Sequence, residues 1–270
     1  MSPNGIITLT TDFGQTDSYV GAMKGVILGI APEARIVDVT HNVHPQDIYQ
    51  AAYMLQTFYR YFPIGTVHLI VVDPGVGSTR RAIAVETPEA WFVAPDNGVL
   101  TDVWRDAVKR WSTEEYRAVE LTDQRFWRAE LSKTFHGRDI FAPVAAHLAR
   151  GTPLEQFGPG LIALTEAELA GPMFEPDQGL VGRVVHIDHF GNCITNITSW
   201  HVQQGGLDQN LTVEINNHTV TGLMQTYADV PVGALLALIG SSDQLEIALR
   251  NGNAADLLRA NVGDVVRVSR

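Results

Sequence analysis

The sequence predicts an α/β protein in two parts. A parallel sheet covered by helices occupies residues 1–172, and a smaller antiparallel β-domain of barrel type occupies 173–270. Three observations carry this reading. Strand and helix patterns alternate through the first half. The stretch 66–72 is apolar nearly throughout, as a strand covered on both faces must be. Beyond about residue 172, short β-like runs succeed one another with no long amphipathic helix between them.

The elements follow in order. Ile6-Ile7-Thr8-Leu9-Thr10 is a β-branched strand that stops at Asp12-Phe13-Gly14. Thr16 or Asp17 stands where a cap is needed, and Val20, Met23, Ile27 and Ile30 then share one helical face before Pro32. Residues 35–39 form the second strand. Pro45 opens a helix with Ile48, Ala52, Leu55, Tyr59 and Phe62 on one stripe, closed by Pro63 and Gly65. Strands at 66–72, 81–86 and 90–94 follow. This β-α-β-α-β order implies a Rossmann-like parallel sheet with helices on both faces. Gly171-Pro172 and Glu175-Pro176-Asp177 make a turn-rich joint, and β-like runs at 182–187, 211–215, 234–239 and 265–268 come after it. No internal repeat or low-complexity segment interrupts the chain.

In open α/β sheets ligands sit beyond the carboxyl ends of the strands. Those ends carry Asp12-Phe13-Gly14, His41-Asn42, Asp73-Pro74-Gly75 and Pro95-Asp96-Asn97. Turns favour these residue types anyway, so the weight lies in four clusters at one end of one sheet.

Charge narrows the partners. Nineteen Lys and Arg against 30 Asp and Glu leave a net charge of -11, the wrong sign for displacing counterions from nucleic acid. Cys193 is the single cysteine, so an internal disulfide and a cysteine-based zinc site are excluded, and it reads as buried filler. The N-terminal residues lack the basic-then-apolar order of a secretory signal, and no run of about 18 apolar residues suggests a membrane span. A soluble cytoplasmic protein is expected.

Several clusters can carry chemistry. Asp73-Pro74-Gly75-Val76-Gly77-Ser78-Thr79-Arg80-Arg81 has two glycines but neither the Gly-Lys-Ser/Thr of a phosphate loop nor the third glycine of a dinucleotide fingerprint. It pairs an acid with an arginine, an arrangement that orients a water, binds a ligand cation, or simply closes a turn. His136, within Thr134-Phe135-His136-Gly137-Arg138-Asp139, is a candidate proton carrier. His41 with His44, and His186 with His189, have no third ligand spaced nearby and read as loop polarity rather than metal sites. In Asp188-His189-Phe190-Gly191-Asn192, Phe190 can stack on a planar ring and Asn192 offers a donor and an acceptor to a base edge. Ser241-Ser242-Asp243 and Asn251-Gly252-Asn253-Ala254 offer hydroxyls and backbone amides, or plain turns.

Taken in order, Thr11-Asp12-Phe13-Gly14, Val72-Asp73-Pro74-Gly75-Val76-Gly77, Ala94-Pro95-Asp96-Asn97-Gly98, Phe135-His136-Gly137-Arg138-Asp139 and Asp188-His189-Phe190-Gly191-Asn192 resemble the S-adenosylmethionine hydroxide adenosyltransferases, relatives of the fluorinating and chlorinating enzymes. The resemblance spans nearly the whole chain. It implies an N-terminal α/β domain, a C-terminal barrel-like domain, and a homotrimer whose sites join one subunit's N-terminal domain to a neighbour's C-terminal domain. It implies hydrolysis of S-adenosylmethionine to adenosine and methionine, a small-molecule substrate, with no metal and no cofactor.

Residue by residue, Asp73, Arg80 and His136 match the family's catalytic set, Arg80 being preferred to the adjacent Arg81 on its spacing after Asp73. The resemblance places Asp12 on the ribose hydroxyls, Asp17 and Asp188 on the methionine ammonium, and Ser241 on its carboxylate. It places Phe190 and Tyr227 on either side of the adenine, Asn192 and the backbone near Ala254 at its edge, and Glu246 among the substrate contacts. Tyr19 and Gln46 depart from the halogenating relatives. Two other readings share these motifs: a halogenase forming 5′-halo-5′-deoxyadenosine, and a protein that binds adenosine or S-adenosylmethionine without turnover. An acid, a base and a guanidinium suit water better than a dehydrated halide.

Overall fold

A computed structural model describes residues 2–168, 171–176, 179–207 and 210–270, so Asp177 of the turn-rich joint lies outside the described residues. The chain divides into two compact units, Met1–Glu168 and Leu169–Arg270.

The first unit holds strands β1 (Ile6–Thr11), β2 (Arg35–Thr40), β3 (Thr66–Val71), β4 (Ala82–Glu86), β5 (Ala90–Pro95), β6 (Arg117–Glu120) and β7 (Gly160–Leu161), in the spatial order β2-β1-β3-β5-β4-β6-β7. From β2 through β5 neighbours run parallel, with Ile7 opposite Ile36 on one side and Val67 on the other. Strand β4 is antiparallel to both of its neighbours, and β6 to β7. The sheet is therefore mixed rather than wholly parallel. The cause is local. Only residues 87–89 separate β4 from β5, and Thr87 Oγ1 accepts from the amides of Glu89 (3.3 Å) and Ala90 (3.1 Å), folding the chain back as a hairpin. A parallel return needs a crossover of roughly a dozen residues or more.

Helices α1 (Tyr19–Ile30), α2 (Ile48–Phe58), α3 (Thr101–Arg110) and α4 (Ala142–Ala149) cover the sheet. On one face Met23 and Ile27 of α1 and Val144 and Leu148 of α4 pack on Val67, Leu69 and Val71. On the other, Leu55 of α2 and Val103 and Trp104 of α3 pack on Ile70, Val72 and Phe92. Alternate residues of β3 thus feed two cores, which is why the strand is apolar nearly throughout.

Helix ends differ from expectation. Ser18, rather than Thr16 or Asp17, is the N-cap of α1, with no side-chain capping bond. Asp47 caps α2 by accepting from the Gln50 amide at 2.9 Å; Pro45 lies upstream of the helix, which tightens into a 3₁₀ turn at Tyr59–Tyr61. A π-helical turn, Gly137–Phe141, leads into α4, with the Ala142 amide donating to the carbonyl of Gly137. Pro143 has no N–H for the Asp139 carbonyl, which accepts instead from the Arg128 amide at 2.9 Å.

The second unit is one sheet of β8 (Met173–Glu175), β9 (Gly179–Ile187), β10 (Cys193–Thr198), β11 (Thr212–Ile215), β12 (His218–Thr221), β13 (Leu223–Met224), β14 (Leu235–Ile239), β15 (Gln244–Leu249) and β16 (Val265–Ser269). The order is β12-β11-β16-β9-β10-β15-β14-β13, with β8 also on β9. Only β13 with β14 is parallel. β12 approaches β14, so the sheet nearly closes as a barrel. Val184, Ile197, Leu245 and Val266 fill it, joined by Ala254 and Leu258 of α6 (Ala254–Leu258). A short α5 (Ser199–Gln204) follows β10. Cys193 is buried in this core, and burial pushes its thiol up to about 11, which makes it a poor nucleophile. Among the described residues no helix is long and apolar enough to cross a membrane.

Candidate active site

The carboxyl ends of β1 and β3 meet at a cavity of about 360 Å³ whose lining includes Asp12, Tyr19, Gln46, Asp73 and Gly137. Asp73 follows β3 after Val72, and the neighbouring loop is tied to the strand end by Asn97 Nδ2, which donates to the Val72 carbonyl at 2.9 Å. Arg80 returns on Asp73 with two donors. Its Nε reaches Oδ1 at 2.8 Å, and its Nη2 reaches Oδ2 closely. The pair is nearly out of water, with side chains 10% (Arg80) and 5% (Asp73) exposed. The guanidinium also lies over the Phe141 ring, 5.1 Å from its centroid. Gly77 closes the intervening loop at φ +77°, and a Cβ there would stand 2.5 Å from the Lys133 carbonyl oxygen. That close approach seats the 73–80 loop against the segment leading to His136.

His136 Nδ1 lies 3.0 Å from Arg80 Nη2. A guanidinium has donors only, so Nδ1 must accept, and the neutral ring carries its hydrogen on Nε2. Burial, and then the Arg80 charge, lower the His136 pKa below the ordinary histidine value, which keeps the ring neutral at pH 7. Asp73 and His136 are thereby made unequal. The ring carries its N–H on the nitrogen away from Arg80, and Asp73 keeps acceptor lone pairs beyond those facing Arg80; Asp73 lines the cavity, whereas Arg80 and His136 stand behind its wall. Behind them the buried Asp139 binds Arg138 (Nε to Oδ1, 2.7 Å), Arg128 (Nη1 to Oδ1, 3.0 Å) and the Ser132 amide (2.8 Å), gathering the loop around His136.

Arg81 is occupied elsewhere. Its Nε donates to Asp96 Oδ2 at 2.7 Å, and Asp96 Oδ1 accepts from the Thr165 amide at 2.8 Å. Asp12 accepts from the Gln46 amide at 2.8 Å, with Gln46 in the left-handed region at φ 67°. Burial raises the Asp12 pKa, the Gln46 hydrogen bond works against this, and the Asp73 charge adds to it. Asp17 is exposed and lies outside the cavity lining. The motif reading assigned no role to the rings of Phe13 and Phe135, which with Tyr19 form an aromatic trio with centroids 5.2–5.8 Å apart beside the cavity.

The second unit has its own cavity, about 780 Å³, lined by Asp188, Phe190, Asn192, Tyr227, Ser241 and Glu246 among others. Asp188 organises the turn after β9: Oδ1 accepts from the amides of Phe190 (2.9 Å) and Asn192 (2.8 Å), and Oδ2 from Asn192 Nδ2 (3.0 Å). Both expected base-edge and ammonium residues are therefore already bonded to each other. Phe190 and Tyr227 remain 72% and 46% exposed, two aromatic faces open at one cavity. Tyr227 donates its hydroxyl to Glu246 Oε1 at 2.5 Å, and burial raises the pKa of that carboxyl, with Asp188 adding to the effect. Ala254 does not line the cavity. Its side chain is fully buried in the barrel core, and Asn251 and Gly252 stand at the rim instead. Arg250, the cavity's cation, is turned onto the carbonyls of Ala228 (3.1 Å) and Val230.

Among the described residues no group of three or more His, Cys, Asp or Glu is disposed to hold a metal ion.

Comparison with known proteins agrees with these two units. The family model described as the SAM hydroxide adenosyltransferase N-terminal domain matches residues 7–158, and that for the C-terminal domain matches 182–267. The chain is 40% identical over 270 residues to the (R)-S-adenosyl-L-methionine hydrolase of Salinispora tropica, covering 100% of this chain and 99% of that one. It is 31% identical over 299 residues to the fluorinase of Nocardia brasiliensis, covering 97% of each. Its fold superposes with a TM-score of 0.89 on the crystal structure of an uncharacterized conserved protein from Thermotoga maritima, 37% identical, covering 98% of this chain and 100% of that one. The chain belongs to the S-adenosylmethionine hydroxide adenosyltransferase family.

Proposed function

We propose that the protein hydrolyses S-adenosylmethionine to adenosine and methionine, and that Asp73, Arg80 and His136 carry the reaction. The observation that supports this best is the Asp73–Arg80–His136 set, a nearly buried acid–guanidinium pair against a half-buried imidazole, which together supply one carboxylate acceptor and one imidazole donor. Water attacks C5′ in line with the sulfonium. The C5′–S bond breaks and its electron pair stays on sulfur, so methionine leaves as a neutral thioether. The O–C5′ bond forms, and Asp73 takes the proton that the water gives up. The leaving group needs no acid. His136 Nε2–H holds the attacking oxygen, and Arg80 fixes the Asp73 carboxylate in place and favours the neutral ring.

The remaining residues take the roles the resemblance implies. Asp12 accepts from the ribose hydroxyls. Asp188 and Asp17 face the ammonium and Ser241 the carboxylate. Phe190 and Tyr227 hold the adenine, with Asn192, Glu246 and the backbone near Ala254 around it. In this reading the nucleophile cavity and the nucleoside cavity are supplied by different copies of a cytoplasmic homotrimer. A halide finds no use for a carboxylate acceptor at the nucleophile's position, which favours hydrolysis over halogenation.

Product analysis in water enriched with heavy oxygen, with and without chloride, tests the reaction. Label is expected in the adenosine 5′-hydroxyl, and its absence defeats the mechanism. Asp73→Asn is expected to lower turnover about 10²–10⁴-fold, the usual worth of a general base. Turnover within about threefold of the parent would remove Asp73 from that role.

A further inference from the structure

His41 and His44 stand three apart in the sequence, and the proposed reaction uses neither. His41 follows β2 and is 2% exposed. Its Nδ1 lies 2.9 Å from Thr11 Oγ1, the last residue of β1. Its Nε2 lies 3.1 Å from Asp38 Oδ1, off the axis of a well-formed hydrogen bond, and Lys24 Nζ holds the other oxygen of Asp38 at 2.5 Å. Its carbonyl accepts from the Gly14 amide at 2.7 Å, while Thr11 Oγ1 accepts from the Phe13 amide at 3.3 Å. One residue thus grips both ends of the segment Thr11-Asp12-Phe13-Gly14.

The hydrogens can be assigned. A ring nitrogen facing a carboxylate at this distance must present N–H, since two lone pairs would repel. In the neutral ring Nδ1 then accepts from the Thr11 hydroxyl, and the threonine oxygen keeps a lone pair for the Phe13 amide. The contacts run in one direction, from the Phe13 amide to Thr11 Oγ1 and from the Thr11 hydroxyl to His41 Nδ1, with the ring's Nε2 beside the Asp38 carboxylate.

We propose that His41 is a positioning residue for the reaction: through Thr11 and through its own carbonyl it fixes the turn that presents Asp12 to the ribose of the substrate. This rests on the reading of Asp12 as the acceptor for the ribose hydroxyls. A carboxylate that accepts from two vicinal hydroxyls tolerates little misorientation. The Gln46 amide also holds it, donating to Asp12 Oδ2 at 2.8 Å. Removing the imidazole leaves Thr11 and the turn without their anchor at the β1 end, and leaves the Asp73–Arg80 pair untouched.

A purely structural role would slow all substrates alike. Orientation of Asp12 acts only where hydroxyls are present to bind. The test compares kcat/KM for S-adenosylmethionine and its 2′,3′-dideoxy analogue, which offers Asp12 no hydroxyl, in the parent protein and in His41→Ala, His41→Asn, Thr11→Val and Asp12→Ala. The parent prefers the ribo substrate and Asp12→Ala abolishes the preference. His41→Ala and Thr11→Val are each expected to reduce it about tenfold, the worth of one hydrogen bond to a charged group, with the dideoxy substrate little changed. His41→Asn, which keeps an acceptor for the Thr11 hydroxyl, restores most of it. Equal losses on both substrates, or an unchanged preference, in His41→Ala and Thr11→Val overturn the proposal while Asp12→Ala still supports the ribose contact. A preference that survives Asp12→Ala overturns the reading of Asp12, and the proposal with it.

Discussion

The Asp73–Arg80 pair makes a quantitative prediction about stability as well as catalysis. With the two side chains 5% and 10% exposed, solvent does little to screen them or to replace a lost partner. Arg80→Met strips two charge-assisted donors from Asp73 and leaves a buried carboxylate, a change expected to cost about 3–5 kcal/mol. Asp73→Leu leaves a buried guanidinium and should cost a comparable amount. The double variant removes both charges and fills the space with apolar atoms, so its cost should fall close to zero. The coupling energy, the difference between the sum of the single changes and the double change, is then about 6–10 kcal/mol. Urea unfolding of the four proteins measures it. For a unit of this size the single variants should melt roughly 6–20 °C lower. The pKa of His136 gives an independent sign. Arg80 is one cause of its depression, so Arg80→Met should raise the midpoint followed by NMR, while Asp73→Leu removes a charge that raises it and should lower the midpoint further. Single costs below about 1 kcal/mol, the range of exposed pairs, would refute the claim that the pair is desolvated.

Two further predictions concern residues away from the reacting atoms. His68 is fully buried, accepts or donates at Nδ1 with Thr8 Oγ1 at 2.8 Å, and packs among Phe58, Tyr59, Phe62 and Phe92, with Nε2 unpartnered among the described residues. Burial lowers its pKa from 6.5 to about 3, so its contribution to stability is complete above pH 6.5 and is lost as pH falls toward 3; unfolding free energies from urea titration should drop with a slope of about 1.4 kcal/mol per pH unit in that window, and His68→Phe should flatten it. Gly77→Ala places a Cβ 2.5 Å from a backbone oxygen at φ +77°, so activity should fall at least about tenfold through displacement of Arg80 from His136, with far-UV circular dichroism unchanged; parent-like kinetics would contradict the close approach of the two loops.

Much of the first unit was legible because its signals are periodic. The stripe of Val20, Met23 and Ile27 and the buried run of β3 each follow from one face or two faces meeting a core. The meeting of Asp73 with Arg80 was legible because an Asp and an Arg seven residues apart on one loop can pair, and they do; His136 joined them only through the resemblance of its motif. The mixed sheet was not, since a three-residue link written Thr87-Pro88-Glu89 states a turn but not the side of β5 on which the hairpin lands. The trio Phe13, Tyr19 and Phe135 escaped notice because two of its rings come from segments more than a hundred residues from the third. The resemblance put the backbone near Ala254 at the adenine edge; what the sequence did not show is that the Asn253 cap starts α6 there and turns the Ala254 methyl into the barrel core.

The π-helical turn before α4 sets a constraint of length on the histidine loop. A π turn is an α-helix carrying one surplus residue, and each residue advances a helix by about 100°. Pro143 stabilises the surplus by withholding the amide that a regular turn would use, and Arg128 takes up the carbonyl so released. Excising a single residue from Gly137–Phe141 would let the helix heal into regular register, and His136 would swing about a quarter-turn away from Arg80 while α4 kept its seat on the sheet. For this segment a change in residue number is more consequential than a change in residue type. Two chains with the same fold and the same Phe-His-Gly-Arg-Asp letters could therefore differ in chemistry through one omitted position.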